Sequence, residues 1–299
     1  MATRTAALAP SNNTDALFRL WINEIHNALI AFGWTQASDT GQINFSTATR
    51  PTNVNLYQGY AIYKMGDALQ ATSPVYMRID FGTGGVSDDP GIKVQLSIGA
   101  TDGAGNFFSG VLSTIVTTSN ANAAGSATLG TCRSSGSSSS FRMNFWMASG
   151  AGVAHGWAFA IERDKDSSGA DTALGVCFAW VYMGNNVGTA VGLGSQFIGT
   201  DGTVGPVDTV RLYAMVATTA QQSAGSSKMC GPVHCWAGVF RNAMLGLLIT
   251  SRPDWVSESI NSVFIYGAIH TYLFLRTTNN NGMALNAWNA DCGMALLWE

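Results

Sequence analysis

Side chains that could bind a metal ion together lie closest in one short segment, at Cys230, His234 and Cys235. Thiolate and imidazole are ligands that Zn²⁺ prefers in a tetrahedral site. The fourth ligand would have to come from a distant position, and the available residues are Cys132, Cys177, Cys292 and His155. Structural zinc sites usually have a closed set of four ligands. We therefore interpret the segment as a proline-containing turn that enters a strand at Cys235, and we predict no metal and no cofactor.

A second segment matches part of a calcium-binding loop. Asp164, Asp166 and Ser168 supply oxygen atoms at alternate positions, and Gly169 follows where such a loop turns sharply. The loop would end at Gly175, where calcium binding needs a bidentate glutamate. We therefore predict that residues 162–171 form the polar tip of a hairpin.

Enzymatic cleavage of a cell-surface polymer would need two carboxylates on either side of a glycosidic bond. The candidate acidic residues mostly lie in predicted turns or on outward strand positions, namely Asp80, Asp88, Asp89, Asp102, Glu162, Asp164, Asp166 and Asp171. The sequence contains no nucleophile elbow, dinucleotide fingerprint or phosphate-binding loop. The histidines are scattered along the chain, at His26, His155, His234 and His270. We predict that the protein is not an enzyme.

Charge is scarce on this chain. Only 11% of its 299 residues are charged, against about 25% in a typical globular protein. The net charge is -3 and no cluster of lysine or arginine is present, which argues against a nucleic-acid partner. Soluble monomers usually carry mixed surface charge. We therefore predict that the protein associates with itself, and a secreted protein with an uncharged serine- and threonine-rich surface is the alternative.

Neither a signal peptide nor a membrane-spanning segment is predicted. Residues 1–10 lack the basic and apolar regions of a signal peptide, and no run of about 18 apolar residues occurs. We expect synthesis in the cytoplasm and no membrane insertion. The five cysteines are odd in number and irregularly spaced, so we expect reduced thiols.

The apolar spacing predicts one amphipathic helix, from Asp15 to Phe32. Residues recur at intervals of three and four along it: Leu17, Leu20, Trp21, Ile25, Ala28, Leu29 and Phe32. Asn13 or Thr14 can cap its start, and Gly33 can adopt the left-handed conformation that ends it. Further apolar residues at Phe18, Ile22 and Ile30 widen this face, which indicates either deeper burial or a contact with another subunit.

After Gly33 the apolar period changes from 3.6 to 2. Alternation predicts a hairpin of residues 75–81 and 92–98, and a second antiparallel pair of residues 141–147 and 157–161. Further β segments are predicted at 176–183, 210–216, 235–240, 245–249 and 263–275. The uncharged stretch 103–132 predicts a long exposed loop. The expected fold is mainly β, an antiparallel sandwich or barrel-like domain with one N-terminal amphipathic helix.

Two regions are expected along the chain. Residues 1–33 form an N-terminal arm and helix, and residues 34–299 form a β-rich structural domain. A further boundary is possible near residues 199–206, where glycine and threonine are frequent.

Six residues are predicted to lie at interfaces. Leu17, Trp21 and Ile25 project from one side of the helix, and such large side chains need a partner surface on the β domain or on a neighbour. The other three are Trp146, Trp255 and Trp288. Aromatic rings stack on sugars and also fill subunit interfaces, and we favour the interface.

Several segments resemble virion structural proteins of tailed bacteriophages of Gram-negative bacteria. They are residues 33–36, Asp39 to Ile43, Arg50 to Thr52, Tyr57 to Tyr60, Val75 to Gly85, Gly91 to Val94, Ile161 to Arg163 and Asp166 to Gly169. The resemblance covers roughly residues 32–175, and none of the matched positions is a known catalytic residue.

The resemblance implies a virion component of the tail, baseplate or neck, located in the virion and bound to itself and to other virion proteins. We expect a tail or baseplate subunit that assembles through uncharged surfaces. The alternatives are a capsid decoration protein and a carbohydrate-recognition module that contacts a host surface glycan.

Overall fold

The computed structural model describes most of the chain. The described residues are 1–8, 13–53, 56–83, 90–97, 99–107, 114–118, 131–148, 154–166, 168–182, 196–199, 204–206, 230–236, 240–250, 259–265, 267–276 and 293–299. The fold is mainly β with antiparallel strands and one helix near the N-terminus, as predicted, and it is sandwich-like and not a closed barrel.

The helix, α1, spans Asp15–Ala31 and has the predicted ends. The Thr14 side chain accepts a 3.1 Å hydrogen bond from the Leu17 backbone N–H, which satisfies one of the free donors of the first turn. Gly33 has a φ of +93°, the left-handed conformation that glycine adopts without steric cost. The sequence predicts both caps because capping depends on residues that are close to each other in the chain.

The strands within the described residues are as follows. They are β1 Ala2–Ala7, β2 Thr35–Gln36, β3 Tyr57–Lys64, β4 Tyr76–Thr83, β5 Pro90–Ser97, β6 Thr114–Thr118, β7 Thr131–Ser137, β8 Ser140–Ala148, β9 Ala154–Lys165, β10 Asp171–Tyr182, β11 Gln196–Gly199, β12 Val204–Pro206, β13 Cys230–Trp236, β14 Phe240–Thr250, β15 Ser259–Ile265, β16 Ala268–Arg276 and β17 Gly293–Leu297. A short 3-10 helix, Ala68–Ala71, joins β3 to β4.

These strands form three antiparallel sheets. The first sheet has the order β1-β7-β8-β9-β10-β11-β12, the second β2-β3-β4-β5-β6, and the third β13-β14-β17-β16-β15. The predicted hairpins are confirmed as the pairs β4 with β5 and β8 with β9. The possible boundary near residues 199–206 falls on β11 and β12, which pair with each other.

The helix lies between the first and second sheets. One core joins helix residues Phe18, Trp21, Ile22, Ile25, Ala28 and Leu29 to second-sheet residues Ala61, Tyr63, Met77, Ile79, Phe81, Ile92, Val94 and Leu96 and to first-sheet residues Cys132, Phe141, Met143 and Ile161. This double contact explains the burial of Phe18 and Ile22, which widen the apolar face, whereas Leu20 and Ile30 are 45% and 44% exposed. Because β1 pairs with β7 as well, the predicted N-terminal arm and helix are packed into the β-rich domain.

The third sheet contacts the opposite face of the first sheet through a polar pair. Arg142 of β8 and Glu162 of β9 point away from the helix, since their neighbours Phe141 and Ile161 face it. Their side chains form a 2.8 Å ion pair, and Gly246 of β14 donates its backbone N–H to Glu162 Oε2 at 3.3 Å. This contact links the third sheet to the rest of the molecule.

Two sequence predictions are corrected by the structure. Strand β6 lies inside the stretch 103–132, which was predicted as an exposed loop, because the short β-branched run at Ile115 to Thr117 suits a strand. The polar tip is limited to residues 166–170, since Glu162 and Arg163 lie in β9 and are 2% and 0% exposed. The predicted strand at residues 210–216 lies outside the described residues.

Candidate functional site

The predicted interface residues of the helix lie mainly inside the chain. Trp21 and Ile25 are 0% exposed, and Leu17 is half-buried. The Trp21 ring makes edge contacts with Phe18 and with Phe81 of the second sheet. Of the two partner surfaces expected for Trp21 and Ile25, the β domain or a neighbour, the structure shows the β domain of the same chain.

The predicted interface tryptophans fall in other parts of the chain. Trp146 lies on β8, opposite Thr131 of β7 and Gly156 of β9. Trp255 and Trp288 lie outside the described residues. The assignment of these three residues to an interface stays a prediction.

The cysteine and histidine segment forms an extended strand where a turn was predicted. Cys230, His234 and Cys235 all belong to β13, which pairs with β14 over its whole length. The register of this pairing shifts after Pro232 and again after Cys235. A strand advances about 3.3 Å per residue, so positions 230 and 234 are separated by roughly 13 Å along it. The three residues are therefore spread along an extended strand and are not gathered in a turn.

The calcium-like segment is a turn that satisfies its own acidic residue. Asp166 Oδ1 accepts hydrogen bonds from the Ser168 hydroxyl at 2.6 Å, from the Ser168 backbone at 2.8 Å and from the Ala170 backbone at 3.0 Å. These bonds lower the pKa of Asp166. Gly169 has a φ of +83°, which closes the turn. The carboxylate therefore acts in turn formation.

Every carboxylate in the described part of the chain has a partner within the protein. These residues are Asp15, Glu24, Asp39, Asp67, Asp80, Asp102, Glu162, Asp164, Asp166, Asp171 and Glu299. The predicted candidates Asp88 and Asp89 lie outside that part. A pair of carboxylates that face each other across an open cleft, which glycoside cleavage needs, is not formed by the described residues.

A buried arginine that sequence reasoning missed anchors the connection between β3 and β4. The Arg163 guanidinium is fully buried and donates to both oxygens of Asp67, at 2.6 and 2.9 Å. It also donates to the carbonyls of Ser73 and Ala173. Bidentate charged bonds of this kind are the strongest that side chains form. Arg163 therefore fixes a loop to the first sheet.

Trp34 and Asp39 hold separate parts of the fold together. Trp34 is 1% exposed, and its indole N–H donates to the carbonyls of Ser137 and Ser140 in the turn between β7 and β8. Asp39 accepts from the Thr101 hydroxyl at 2.8 Å and from the Gly105 backbone at 2.9 Å. Trp34 and Asp39 thus have structural roles.

An aromatic and charged cluster on the second sheet has a similar role. The Arg78 guanidinium lies 4.1 Å from the centre of the Tyr60 ring, pairs with Asp80, and donates to the Gly105 carbonyl at 2.7 Å. The Tyr60 hydroxyl donates to the Thr40 carbonyl at 2.6 Å. The Tyr60 ring therefore packs within the chain, between Arg78 and the backbone of Gly105.

Among the described residues, the most exposed large apolar side chains lie on the β15–β16 hairpin at the end of the third sheet. Phe264 and Ile269 are each 71% exposed, and Ile260 is 58% exposed. Phe264 is paired directly with Ile269 across the hairpin. We call these three residues together with Ser262, which lies between Ile260 and Phe264 on the same face, the β15 edge. A cluster of exposed apolar side chains of this kind is a candidate interaction surface.

Comparison of the chain with protein-family models, with curated proteins and with solved structures found no match. In the part of the chain that the structure describes, no helix is both long and apolar enough to cross a membrane.

The opposite face of the same hairpin is in the third sheet's own core. Tyr272 and Phe274 pack there with Leu248 and Ala295, and Val263 and Ile265 lie against them. The hairpin is therefore apolar on both faces. The sequence shows this property as three consecutive apolar residues, from Val263 to Ile265. A strand with one face in solvent needs apolar residues only at alternate positions. The face of Ile260, Phe264 and Ile269 is covered at Leu273, which is 4% exposed, and is open at the other three residues. The β15 edge is the candidate functional site.

Proposed function

We propose that the protein is a structural subunit of a tailed-phage virion, a component of the tail or baseplate that assembles through uncharged surfaces. The observation that carries the proposal is the β15 edge, where large apolar side chains are exposed beside a strand without charge. Assembly explains such a surface, because burying a side chain of this size removes about 1.5 to 3 kcal/mol of unfavourable hydration.

The charged residues also support this function, because they bind within the chain. The described carboxylates bind within the chain, and the arginines Arg78, Arg142 and Arg163 hold loops and sheets together. These groups are used for rigidity. A rigid scaffold with an uncharged contact surface suits a protein that occupies a fixed position in a particle.

The resemblance of residues 32–175 to phage virion proteins supplies the biological setting. The segment contains the helix end, all of the second sheet, and strands β7 to β9 of the first sheet. The β15 edge lies outside it, in the last third of the chain. We therefore assign the shared scaffold to the first part and the individual contacts of this subunit to the third sheet.

The test is to locate the protein in intact particles. An epitope tag on this subunit, detected with gold-labelled antibody in electron micrographs, should place gold at the tail or baseplate. Particles without the tag are the control. Gold on the head would favour a capsid decoration protein, and gold absent from particles that contain all other structural proteins would contradict the proposal.

A further inference from the structure

The backbone of β15 has one side without a partner strand among the described residues, and its hydrogen-bonding pattern can be worked out from β16. Ser262 is opposite Thr271 in the hairpin register. The Thr271 carbonyl accepts a 2.8 Å bond from the Trp298 N–H, and the Thr271 N–H donates to Glu299 Oε1 at 3.1 Å. Both backbone groups of Thr271 therefore point away from β15.

The pair of Ser262 and Thr271 is consequently a pair without mutual hydrogen bonds. In an antiparallel hairpin such pairs alternate with hydrogen-bonded ones. The backbone N–H and C=O groups of Ile260, Ser262 and Phe264 must then point to the open side of β15. These are the residues of β15 that also expose their side chains, as its alternating burial shows.

The open side of β15 lacks the features that prevent an edge strand from pairing with a strand of another chain. Sheet edges are commonly protected by lysine, by other inward charges, by proline or by a bulge. Residues 259–265 contain no charged residue and no proline, and the register with β16 is regular along the whole strand. An edge of this composition is able to pair with another strand.

We propose that β15 pairs with β15 of a second copy of this chain, antiparallel, around a twofold axis at Ser262. In this register Ile260 lies opposite Phe264 of the second copy, Phe264 lies opposite Ile260, and the two Ser262 residues face each other. The three pairs exchange about six backbone hydrogen bonds. The two five-stranded sheets become one continuous sheet.

The pattern of the edge selects a second copy and this register. Ile260 and Phe264 stand two residues on either side of Ser262, so twofold pairing brings apolar side chains together on one face. A shift by two residues would place Phe264 opposite Ser262 and lose both apolar pairs. A strand without charge has no electrostatic attraction for a charged partner, and two copies of it can pair without electrostatic repulsion.

The inference rests on the proposed function for its place in a particle, while the pairing itself is tested on the purified full chain. Ser262→Lys places two ammonium groups opposite each other at the twofold axis, and Ser262→Asp places two carboxylates there. Sedimentation equilibrium should show wild-type dimers at micromolar concentration. Each variant alone should dissociate, with the dissociation constant raised about 100-fold. An equimolar mixture of the two variants should restore dimers.

Asn27→Lys is the matched control, because it adds the same charge at an exposed position of α1. It should leave the dimer unchanged. Circular dichroism should show equal folding of all variants, since the Ser262 side chain is exposed. Wild-type protein that stays monomeric, or a Ser262→Lys variant that dimerises as the wild type does, would overturn the pairing.

The outcomes for the pairing and for the proposed function can be separated. A wild-type dimer that dissociates on Ser262→Lys, in a protein that never appears in virions, contradicts the proposed function and supports the pairing. A virion protein whose association is indifferent to Ser262→Lys contradicts the pairing and leaves the proposed function intact.

Discussion

Gly246 of β14 lies directly against the guanidinium group of Arg142 of β8, so closely that a methyl group at position 246 would overlap the Arg142 Nε atom. The same arginine pairs with Glu162, and both side chains are nearly inaccessible, at 5% and 3% exposure. Glycine is needed at this point because the third sheet approaches a buried ion pair at backbone distance. The junction between the first and third sheets therefore contains a buried polar pair.

The first prediction concerns this ion pair. Arg142→Met leaves the Glu162 carboxylate buried without its cation, and such changes cost about 3 to 5 kcal/mol of the free energy of unfolding. The double variant Arg142→Met with Glu162→Leu removes both charges and should recover most of that loss. Urea denaturation measures both. The half-exposed pair of Lys165 and Asp171 is the control, and Lys165→Met should cost less than about 1 kcal/mol.

A double variant as unstable as Arg142→Met alone would contradict this account. It would show that the position needs an arginine for shape or for its contact with Gly246, and that the charge balance with Glu162 is secondary.

The second prediction concerns the helix. Trp21→Ala removes a fully buried ring that contacts Phe18 and Phe81, and it should cost about 3 to 5 kcal/mol of unfolding free energy. Ile30→Ala is the control on the same helix, because Ile30 is 44% exposed and its loss should be small. Equal effects of Trp21→Ala and Ile30→Ala would contradict the packing of α1 between the two sheets.

The third prediction is a pH dependence that originates at His26. Its ring stacks on Phe45 at 4.5 Å, and its Nδ1 lies 2.9 Å from the Tyr63 hydroxyl. Burial lowers the pKa of His26 below its ordinary value of about 6.5. Between the folded and unfolded pKa values the unfolded chain binds more protons, so this contribution to stability is complete above about pH 6.5 and declines as the pH falls.

The variant His26→Gln tests this assignment because it keeps a polar side chain and removes the titration. The free energy of unfolding of the wild type should fall more steeply than that of the variant between about pH 7 and pH 5. Equal slopes would show that other groups cause the pH dependence.

The fourth prediction concerns metal. A structural zinc contributes folding free energy, so its removal lowers the melting temperature strongly. Cys230, His234 and Cys235 are distributed along one extended strand, and we expect EDTA to leave the melting temperature unchanged. A decrease of many degrees, or stoichiometric zinc in the purified protein, would show that these residues bind a metal together with ligands elsewhere in the chain.

The local elements of this protein follow from its sequence. The helix from Asp15, its Thr14 cap and its end at Gly33 depend on residues within a few positions of each other, and the hairpins of β4 with β5 and β8 with β9 follow from strict alternation. Capping and alternation are short-range effects, so the order of residues is enough to predict them.

The buried charges and the exposed edge were decided by tertiary structure. Glu162 and Arg163 occur in a polar run that is typical of a hairpin tip, yet their partners Arg142, Gly246 and Asp67 are brought to them from other strands and from the connection between β3 and β4. In the same way, the exposure of Phe264 depends on the position of β15 at the end of its sheet. Alternation determines which side chains share a face, but whether that face is covered depends on the order of the strands, which is set by contacts between residues far apart in the chain.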